Sequence, residues 1–340
     1  MPTLTPKENY LKVLHGEIPE WLPSYTLAPS PDNVFACPSA LFEPSPVSQH
    51  RANNGGLDMW GVNYVSCDEA GGALIPEPNN FILKDITKWR DVIKAPDFSD
   101  VDWEMVAKKQ LEKSGIDRKY TAVAYNTHMG FFQTLVSFMG FEEGLMAMAC
   151  EPEACVELYT YLCDVYCDVT EKSIDFYQPE VYTMMDDTAA WAAPFISMDM
   201  FQEYLMPLYK RQIQFALDRN LPVTFHNCGK SMHFMEELHK IGVTAWDPAQ
   251  CCNDLDAFKK KYGRSYVIMG GWDGRDQLLA DDVKDEQIYE SVKATIERYA
   301  PDGGYVWCGG FLGALGDQKI IHKNLVVQKA VEEVGGSFYK

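Results

Sequence analysis

The sequence predicts an α/β fold, a (β/α)8 barrel of the TIM type with an irregular N-terminal elaboration. Three observations lead to this prediction. From about residue 115 onward, short apolar runs alternate with amphipathic segments, a pattern typical of parallel strands covered by helices. Six strong runs and two weaker earlier ones match the eight strands of a barrel. The 340 residues exceed the roughly 250 of a typical barrel, which leaves room for the elaboration.

The predicted strands and helices follow one another along the chain in a regular order. The strong strand candidates span 120–126, 180–187, 221–229, 243–250, 265–274 and 303–310. The weaker candidates span 21–27 and 58–65, and helices are predicted at 198–220, 231–242 and 285–300. No linker or internal repeat divides the chain. We therefore expect one barrel domain over residues 1–340, in which residues 1–110 contain the elaboration.

A doubly wound open sheet is the alternative, because it also alternates strands and helices. Such folds often carry a glycine-rich phosphate loop between an early strand and its helix, and the first half of this chain lacks one. The barrel is therefore the favoured prediction, although the order of elements alone leaves both open.

Composition restricts the function. Lys and Arg total 30 against 49 Asp and Glu, so the formal net charge is −19. This charge argues against nucleic acid or an anionic membrane as a partner, because phosphates must be neutralised by cations. The N-terminus has no apolar run resembling a secretory signal, and we expect a soluble, cytoplasmic protein. In that compartment the ten cysteines would be thiols or metal ligands.

Reactive side chains cluster where the predicted strands end. In a barrel these positions lie together at the catalytic face, where the βα loops begin. The polar strand-end residues are Asn126, His128, Asp186, Asp187, His226, Cys228, Asp247, Asp273 and Cys308.

The stretch "VTFHNCGK" supplies the first candidate metal ligands. Alternate residues of a strand share a face, so His226 and Cys228 would project together. Cys308 ends a later strand, and one His with two Cys and an open position is a pattern of catalytic zinc. The vicinal pair Cys251 and Cys252 is a rival source of the third ligand. A core strand with ordinary buried His and Cys residues is the structural alternative.

Several motifs together resemble a known family. "FHNCGK", "MEELHKIGVTAWDPA", "MGGWDG" and a late "VWCGG" resemble the uroporphyrinogen decarboxylase superfamily, over roughly residues 115 to 335. Within it they are similar to the zinc- and corrinoid-dependent methyltransferases, which carry a His-x-Cys and distant-Cys zinc motif. The resemblance implies a (β/α)8 barrel with zinc bound by His226, Cys228 and Cys308.

The N-terminal region distinguishes the branches of this superfamily. A decarboxylase for uroporphyrinogen must hold a substrate with many carboxylates, which favours clustered arginine. The first sixty residues contain only Lys7, Lys12 and Arg51 as fixed cations. This difference favours the methyltransferase branch. The resemblance then implies methyl transfer between a small O-methylated substrate and a corrinoid (cobalamin), as in an O-demethylase component. No corrinoid-binding Asp-x-His-x-x-Gly pattern occurs, so the corrinoid would be free or carried by a partner corrinoid-binding protein.

Aromatic and sulfur side chains near the strand ends suggest a flat apolar substrate such as a methoxylated arene. The predicted substrate-binding residues are Trp191, Met185, Asp247, Trp272 and Phe311, and the candidate catalytic residues are Asp187 and Asp186. We expect His128 to be a hydrogen-bonded core histidine and Asp273 to shape a turn. The alternatives are a methylcobalamin:thiol (coenzyme M-type) methyltransferase, a metal-free decarboxylase-like enzyme, and a catalytically silent binding protein.

Overall fold

The computed structural model describes residues 3–25, 38–67, 72–126, 128–314 and 316–339. Within these ranges the strands are β1 (Ser39–Phe42), β2 (Gly56–Leu57), β3 (Asn63–Cys67), β4 (Ala73–Pro76), β5 (Ala122–Asn126), β6 (Val181–Met185), β7 (Val223–His226), β8 (Ala245–Ala249), β9 (Val267–Gly270) and β10 (Tyr305–Val306). The helices are α1 (Pro6–Leu14), α2 (Ser45–Ala52), α3 (Trp89–Val92), α4 (Trp103–Ser114), α5 (Phe131–Met139), α6 (Phe141–Cys150), α7 (Pro152–Tyr177), α8 (Met198–Met200), α9 (Met206–Leu217), α10 (Met232–Lys240), α11 (Leu255–Tyr262), α12 (Asp285–Tyr299) and α13 (Gln318–Ala330). A π-helical turn, Phe201–Leu205, joins α8 to α9.

The main sheet has seven strands in the order β1-β5-β6-β7-β8-β9-β10, and every neighbouring pair is parallel. This order follows the sequence without reversal, whereas a doubly wound sheet reverses its order at a switch point. The strands curl into a half-barrel flanked by helices. The predicted α/β fold of the TIM type is therefore confirmed, and the doubly wound alternative is wrong.

The N-terminal strands differ from the prediction. The candidate at 58–65 is wrong as a barrel strand, because β3 pairs antiparallel with β2 and β4 in a separate three-stranded sheet. The barrel strand that the prediction missed is β1, a four-residue segment followed at once by Glu43 and Pro44. Within the candidate at 21–27, Ser24 forms a parallel bridge with Trp307 beside β10. Residues 26 and 27 lie outside the described residues.

Buried runs explain why the central strands form. All five residues of β5 are buried, as expected of a parallel strand covered on both faces. One cluster joins small residues of the strands, including Ala124 and Ala245, to Tyr10 and Val13 of α1. Lys7 of α1 also contacts Glu180, directly before β6, at 2.7 Å. Helix α1 thus packs against the strand ends opposite to the polar residues described below.

No helix in the described part of the chain combines the length and apolar character needed to cross a membrane.

Candidate metal centre

Three neighbouring strands bring the predicted reactive residues together. Met185, the last residue of β6, pairs in register with His226, and His226 pairs with Asp247 of β8. Asp187 follows β6 and Cys228 follows β7. Because parallel strands end at one edge of the sheet, these side chains meet at the carboxyl edge, where active sites of barrel enzymes form.

His226 is the centre of this group. Its Nδ1 lies 3.3 Å from Asp247 Oδ2, while its Nε2 lies 3.5 Å from Cys228 Sγ and 3.9 Å from Asp187 Oδ1. The candidate ligand atoms of Asp187, His226 and Cys228 all lie within 4.8 Å of one another. One ring nitrogen is therefore held by a carboxylate, and the other faces a thiol and a second carboxylate.

The electrostatic environment of these residues favours cation binding. Burial opposes protonation of His226, but the Asp247 carboxylate, Cys228 and Asp187 outweigh it and raise the pKa of His226 well above its usual value. Burial raises the pKa of the Cys228 thiol, although His226 opposes this shift. In the metal-free protein a proton on His226 would balance the buried negative charge. A bound cation would replace that proton and ionise the thiol.

The donor set fits zinc. Imidazole nitrogen, thiolate sulfur and carboxylate oxygen are the ligands that Zn²⁺ takes in proteins. A metal-binding histidine usually donates its other N–H group to a carboxylate, which fixes the tautomer and the ring orientation. Asp247 occupies this position beside His226. Its second oxygen, Oδ1, is buried and has no hydrogen-bond partner within the described ranges.

The third predicted ligand, Cys308, stands apart from the close group. It follows β10, and its atoms are not among those that lie within 4.8 Å of one another. Burial, together with the charges of Asp247 and Cys228, raises the pKa of the Cys308 thiol. Among the described residues, the group within 4.8 Å consists of His226, Cys228 and Asp187, so Asp187 stands where the sequence predicted Cys308.

The rival cysteines lie in the loop after β8. Burial and the neighbouring Asp273 raise the pKa of the Cys251 thiol to about 11. Cys252 accepts a hydrogen bond from the Asn253 amide at 3.4 Å. Neither thiol belongs to the group formed by Asp187, His226 and Cys228.

The two candidate catalytic carboxylates have different surroundings. Asp186 is fully buried and accepts hydrogen bonds from the backbone N–H groups of Phe132 and Gln133 and from the Tyr209 hydroxyl, at 3.0, 3.0 and 2.6 Å. Burial raises the pKa of Asp186 to about 6, and these hydrogen bonds limit the rise. The Asp187 side chain is 31% exposed, so Asp187 rather than Asp186 is open to a ligand.

The predicted substrate-binding residues are spread over several loops. Trp191 is stacked against the Arg275 guanidinium, whose carbon lies 3.3 Å from the ring centroid. Trp272 donates a hydrogen bond to Ser291 and packs edge-on against the buried Phe311.

Met185 is half-buried at the end of β6, and the buried Asp247 contacts His226. Asp247 is therefore a neighbour of the metal centre rather than an open substrate contact.

Two residues that fix the centre were missed by the sequence analysis. Asn227 is buried and exchanges hydrogen bonds with Thr188, at 3.1 Å to the backbone and 2.8 Å to the hydroxyl. Gln133 of α5 contacts Asp187 at 3.3 Å, and the same carboxylate accepts the backbone N–H of Cys228 at 2.7 Å. Neither contact has a local sequence signal, because the partners are distant in sequence.

Gly229 is required where the β7 loop turns. Its φ is +76°, and a Cβ atom there would lie 2.5 Å from the carbonyl oxygens of Ala189 and Ala190. We expect Gly229→Ala to lower the free energy of unfolding by about 2 kcal/mol or more and to weaken metal binding, because the clash moves the adjacent Cys228. Gly115→Ala is the matched control, since its φ is +65° and a Cβ atom there would meet nothing within 4 Å. Equal destabilisation by both changes, measured by urea unfolding, would contradict this prediction.

Comparison with known proteins identifies the family to which this chain belongs. The sequence model described as uroporphyrinogen decarboxylase (URO-D) matches residues 121–311, more than half of the chain. Among curated protein sequences, no significant match is found. A solved methyltransferase from Methanosarcina mazei is similar in structure, with 13% identity and a TM-score of 0.63, over 99% of this chain and 100% of that chain. An aldo-keto reductase of the silkworm, Bombyx mori, matches at 10% identity and a TM-score of 0.30, over 82% and 88%.

These matches differ in what they establish. At 13% identity, the likeness to the methyltransferase concerns the fold, and a TM-score of 0.30 carries no argument. The family model, by contrast, matches more than half of the sequence and so establishes the family. The matched segment contains β5 to β10 and the residues Asp187, His226, Cys228 and Cys308. The chain belongs to the uroporphyrinogen decarboxylase family.

Proposed function

We propose that the chain is a zinc-dependent methyltransferase. It would move a methyl group from a small O-methylated substrate, such as a methoxylated aromatic compound, to the cob(I)alamin of a corrinoid protein. The observation that supports this most directly is the orientation of His226. Its Nδ1 is held by Asp247, so its Nε2 faces both Cys228 and Asp187. An imidazole fixed in this way beside two further donors is typical of a metal centre.

Zinc at this position would act as a Lewis acid that stabilises the oxygen or sulfur atom carrying negative charge during transfer. The chain's own residues prepare the site. Asp247 holds the tautomer of His226, and Asn227 fixes the loop between His226 and Cys228 through Thr188. Asp187 is tied to the Cys228 backbone and remains partly exposed, which suits a role in orienting the substrate.

The ligand set has two candidate forms. The family resemblance implies His226, Cys228 and Cys308, whereas the close group in the structure consists of Asp187, His226 and Cys228. We propose that both Cys228 and Cys308 bind the metal and that Asp187 lies at the open position. X-ray absorption at the zinc edge tests this, because two sulfur ligands at about 2.3 Å are expected and one would remain in Cys308→Ser. A single sulfur ligand in the unmodified protein would instead favour Asp187 as the third ligand.

The substrate class rests on the aromatic side chains around the strand ends. Trp191 is partly exposed in the loop after β6, and Trp272 and Phe311 pack together in loops after β9 and β10. Flat apolar molecules bind well to such surfaces. The corrinoid would be supplied by a partner protein or as the free cofactor, and the protein is expected to act in the cytoplasm.

Transfer in the opposite direction, from methylcobalamin to a thiol, would use the same centre. If the protein binds no metal, the remaining alternatives are a decarboxylase-like enzyme and a binding protein. The family match alone includes decarboxylases, but Lys7, Lys12 and Arg51 are the only fixed cations in the first sixty residues. A substrate with many carboxylates is therefore a poor fit to this region.

The decisive experiment combines metal analysis with an activity assay. Protein purified under reducing, chelator-free conditions is expected to hold about one zinc per chain. Incubation with cob(I)alamin and methoxylated aromatics should produce methylcobalamin, detected by its absorption spectrum. Incubation of methylcobalamin with simple thiols tests the reverse chemistry in parallel.

Each result discriminates among the functions. Methyl transfer from ethers supports the proposal, and transfer only to thiols would replace it by the thiol methyltransferase. A protein without zinc and without either transfer would overturn the methyltransferase assignment. Addition of a chelator is the control, because it should abolish the activity and added zinc should restore it.

A further inference from the structure

A second carboxylate–imidazole pair lies at the carboxyl edge of the main sheet. Glu43 directly follows β1 and His128 closely follows β5, and these strands are parallel neighbours with Phe42 opposite Tyr125. Strand β5 in turn pairs with β6, which leads to Asp187. The pair therefore belongs to the same face of the fold as the metal centre, one strand away from it. The sequence analysis expected His128 to be a core histidine and did not single out Glu43.

The geometry defines which nitrogen of His128 is available. Glu43 accepts the backbone N–H of His128 at 2.8 Å through Oε1, and its Oε2 lies 3.2 Å from His128 Nδ1. Burial alone would raise the pKa of Glu43, but His128 and Arg51 outweigh it and hold that pKa below its usual value. An ionised carboxylate only accepts hydrogen bonds, so Nδ1 carries the proton. His128 Nε2 makes no hydrogen bond within the described ranges, so it is the nitrogen that is open to a ligand.

His128 is also accessible. Its side chain is 29% exposed, whereas that of Glu43 is only 12% exposed. A buried carboxylate that orients a partly exposed imidazole is the arrangement of many general acid–base catalysts, because the carboxylate stabilises the protonated ring.

A small cavity adjoins the pair. Its volume is about 30 Å³, which is enough for one water molecule. On its wall, His50 Nδ1 and Arg51 Nε are buried and have no hydrogen-bond partner in the parts of the chain that the structure describes. Burial and the charge of Arg51 lower the pKa of His50 to about 4, so His50 remains neutral. The titratable or charged groups lining the cavity with His128 are Glu43, His50, Arg51, Asp58, Tyr64 and Tyr166.

The segment that follows His128 contacts the two carboxylates after β6. Gly130 lies so close to Asp186 that a Cβ atom there would be 2.5 Å from Asp186 Oδ1. One turn later, Gln133 contacts Asp187. His128 is thus attached to the same rigid start of α5 that holds the two carboxylates.

We propose that His128, oriented by Glu43, is the general acid that protonates the oxygen leaving the methyl group. This inference rests on the proposed function. The nucleophilic cobalt of the corrinoid attacks the methyl carbon, so a Co–C bond forms and the C–O bond breaks with its electron pair on oxygen. The Nε2–H of protonated His128 transfers its proton to that oxygen and gives the alcohol or phenol. His128 becomes neutral and is reprotonated from solvent. Glu43 is a positioning residue.

The test uses the leaving group as the variable. Aryl methyl ethers are compared with wild type and His128→Gln, because glutamine can still donate to Glu43 but cannot deliver a proton. Poor leaving groups, such as unsubstituted or alkyl-substituted phenols, are expected to lose about 100-fold in rate in the variant. Nitro-substituted phenols leave without protonation and should lose less than about threefold. Glu43→Gln should show the same selectivity with a smaller loss.

The controls separate this role from structure. His322→Gln removes an exposed imidazole that contacts the Asp285 carboxylate at 2.9 Å, and it should leave every rate unchanged. Zinc content and thermal unfolding of His128→Gln should match wild type.

The outcomes are distinguishable. An equal loss with all leaving groups, or no loss, in an active zinc-containing protein would overturn the role of His128 while the proposed function stands. An inactive wild type would overturn the proposed function itself, and this inference would fall with it. If His128→Gln does not fold, Glu43→Gln decides alone by the same leaving-group comparison.

Discussion

Replacing Cys228 by serine is expected to remove both the metal and methyl transfer. The Cys228 thiol lies 3.5 Å from His226 Nε2 and belongs to the closest group of candidate ligands. A hydroxyl is a much weaker zinc ligand than a thiolate, so metal affinity should fall by at least about 100-fold. Without the Lewis acid, the transition state loses about 4 kcal/mol of stabilisation, which corresponds to roughly a thousandfold in rate.

Cys252→Ser provides the matched control for this experiment. Cys252 is also a partly buried thiol near a strand end, but it contacts Asn253 and does not belong to the group of candidate ligands around His226. It should retain about one zinc per chain and full activity. Elemental analysis and the methyl transfer assay on both variants measure the result. A Cys228→Ser protein with full zinc and activity would disprove the centre, and zinc loss only in Cys252→Ser would establish the rival ligand.

Replacing Asp186 by alanine is expected to lower the free energy of unfolding by about 3 kcal/mol or more. The change leaves three donors without an acceptor: the buried Phe132 N–H group and Tyr209 hydroxyl, and the half-buried Gln133 N–H group. Each donor left without an acceptor costs about 1–3 kcal/mol of stability. Removal of the buried Asp186 charge offsets part of this destabilisation. The pKa of Asp186, raised to about 6 by burial, reflects that cost of holding the charge.

The same variant separates a structural from a catalytic role of Asp186. Tyr209→Phe is the control, because it removes one donor and should cost only about 1–2 kcal/mol. Urea unfolding monitored by tryptophan fluorescence measures both changes. We expect folded Asp186→Ala protein to bind zinc at the proposed centre, since Asp186 holds the start of α5 and does not belong to the group of Asp187, His226 and Cys228. Wild-type stability combined with complete loss of methyl transfer would instead make Asp186 a catalytic residue.

The regular part of the chain was predictable because its signals are local. Strands β5 to β10 are short apolar runs with polar or glycine ends, and the periodicity of these runs reports burial directly. The strand-end rule for parallel α/β folds then placed His226, Cys228, Asp187 and Asp247 at one edge. The structure confirms that these residues lie together.

The N-terminal region was less predictable because short segments carry weak signals. Strand β1 has four residues beside prolines, so its apolar pattern is too short to distinguish from a loop. The segment at 58–65 contains a stronger pattern but pairs with β4 in a separate sheet. Pairing of strands depends on contacts between distant residues, which local patterns do not contain.

The sequence by itself determined the chemistry available at the site, because residue types and strand ends specify an imidazole, thiols and carboxylates at one edge of a parallel sheet. Only the tertiary structure decided which of these groups meet. It placed Asp187 rather than Cys308 in the close group with His226 and Cys228, buried Asp186 at the start of α5, and joined Glu43 to His128. The physical reason is that distances between strand ends depend on loop conformation and side-chain hydrogen bonds, which form between residues far apart in the chain.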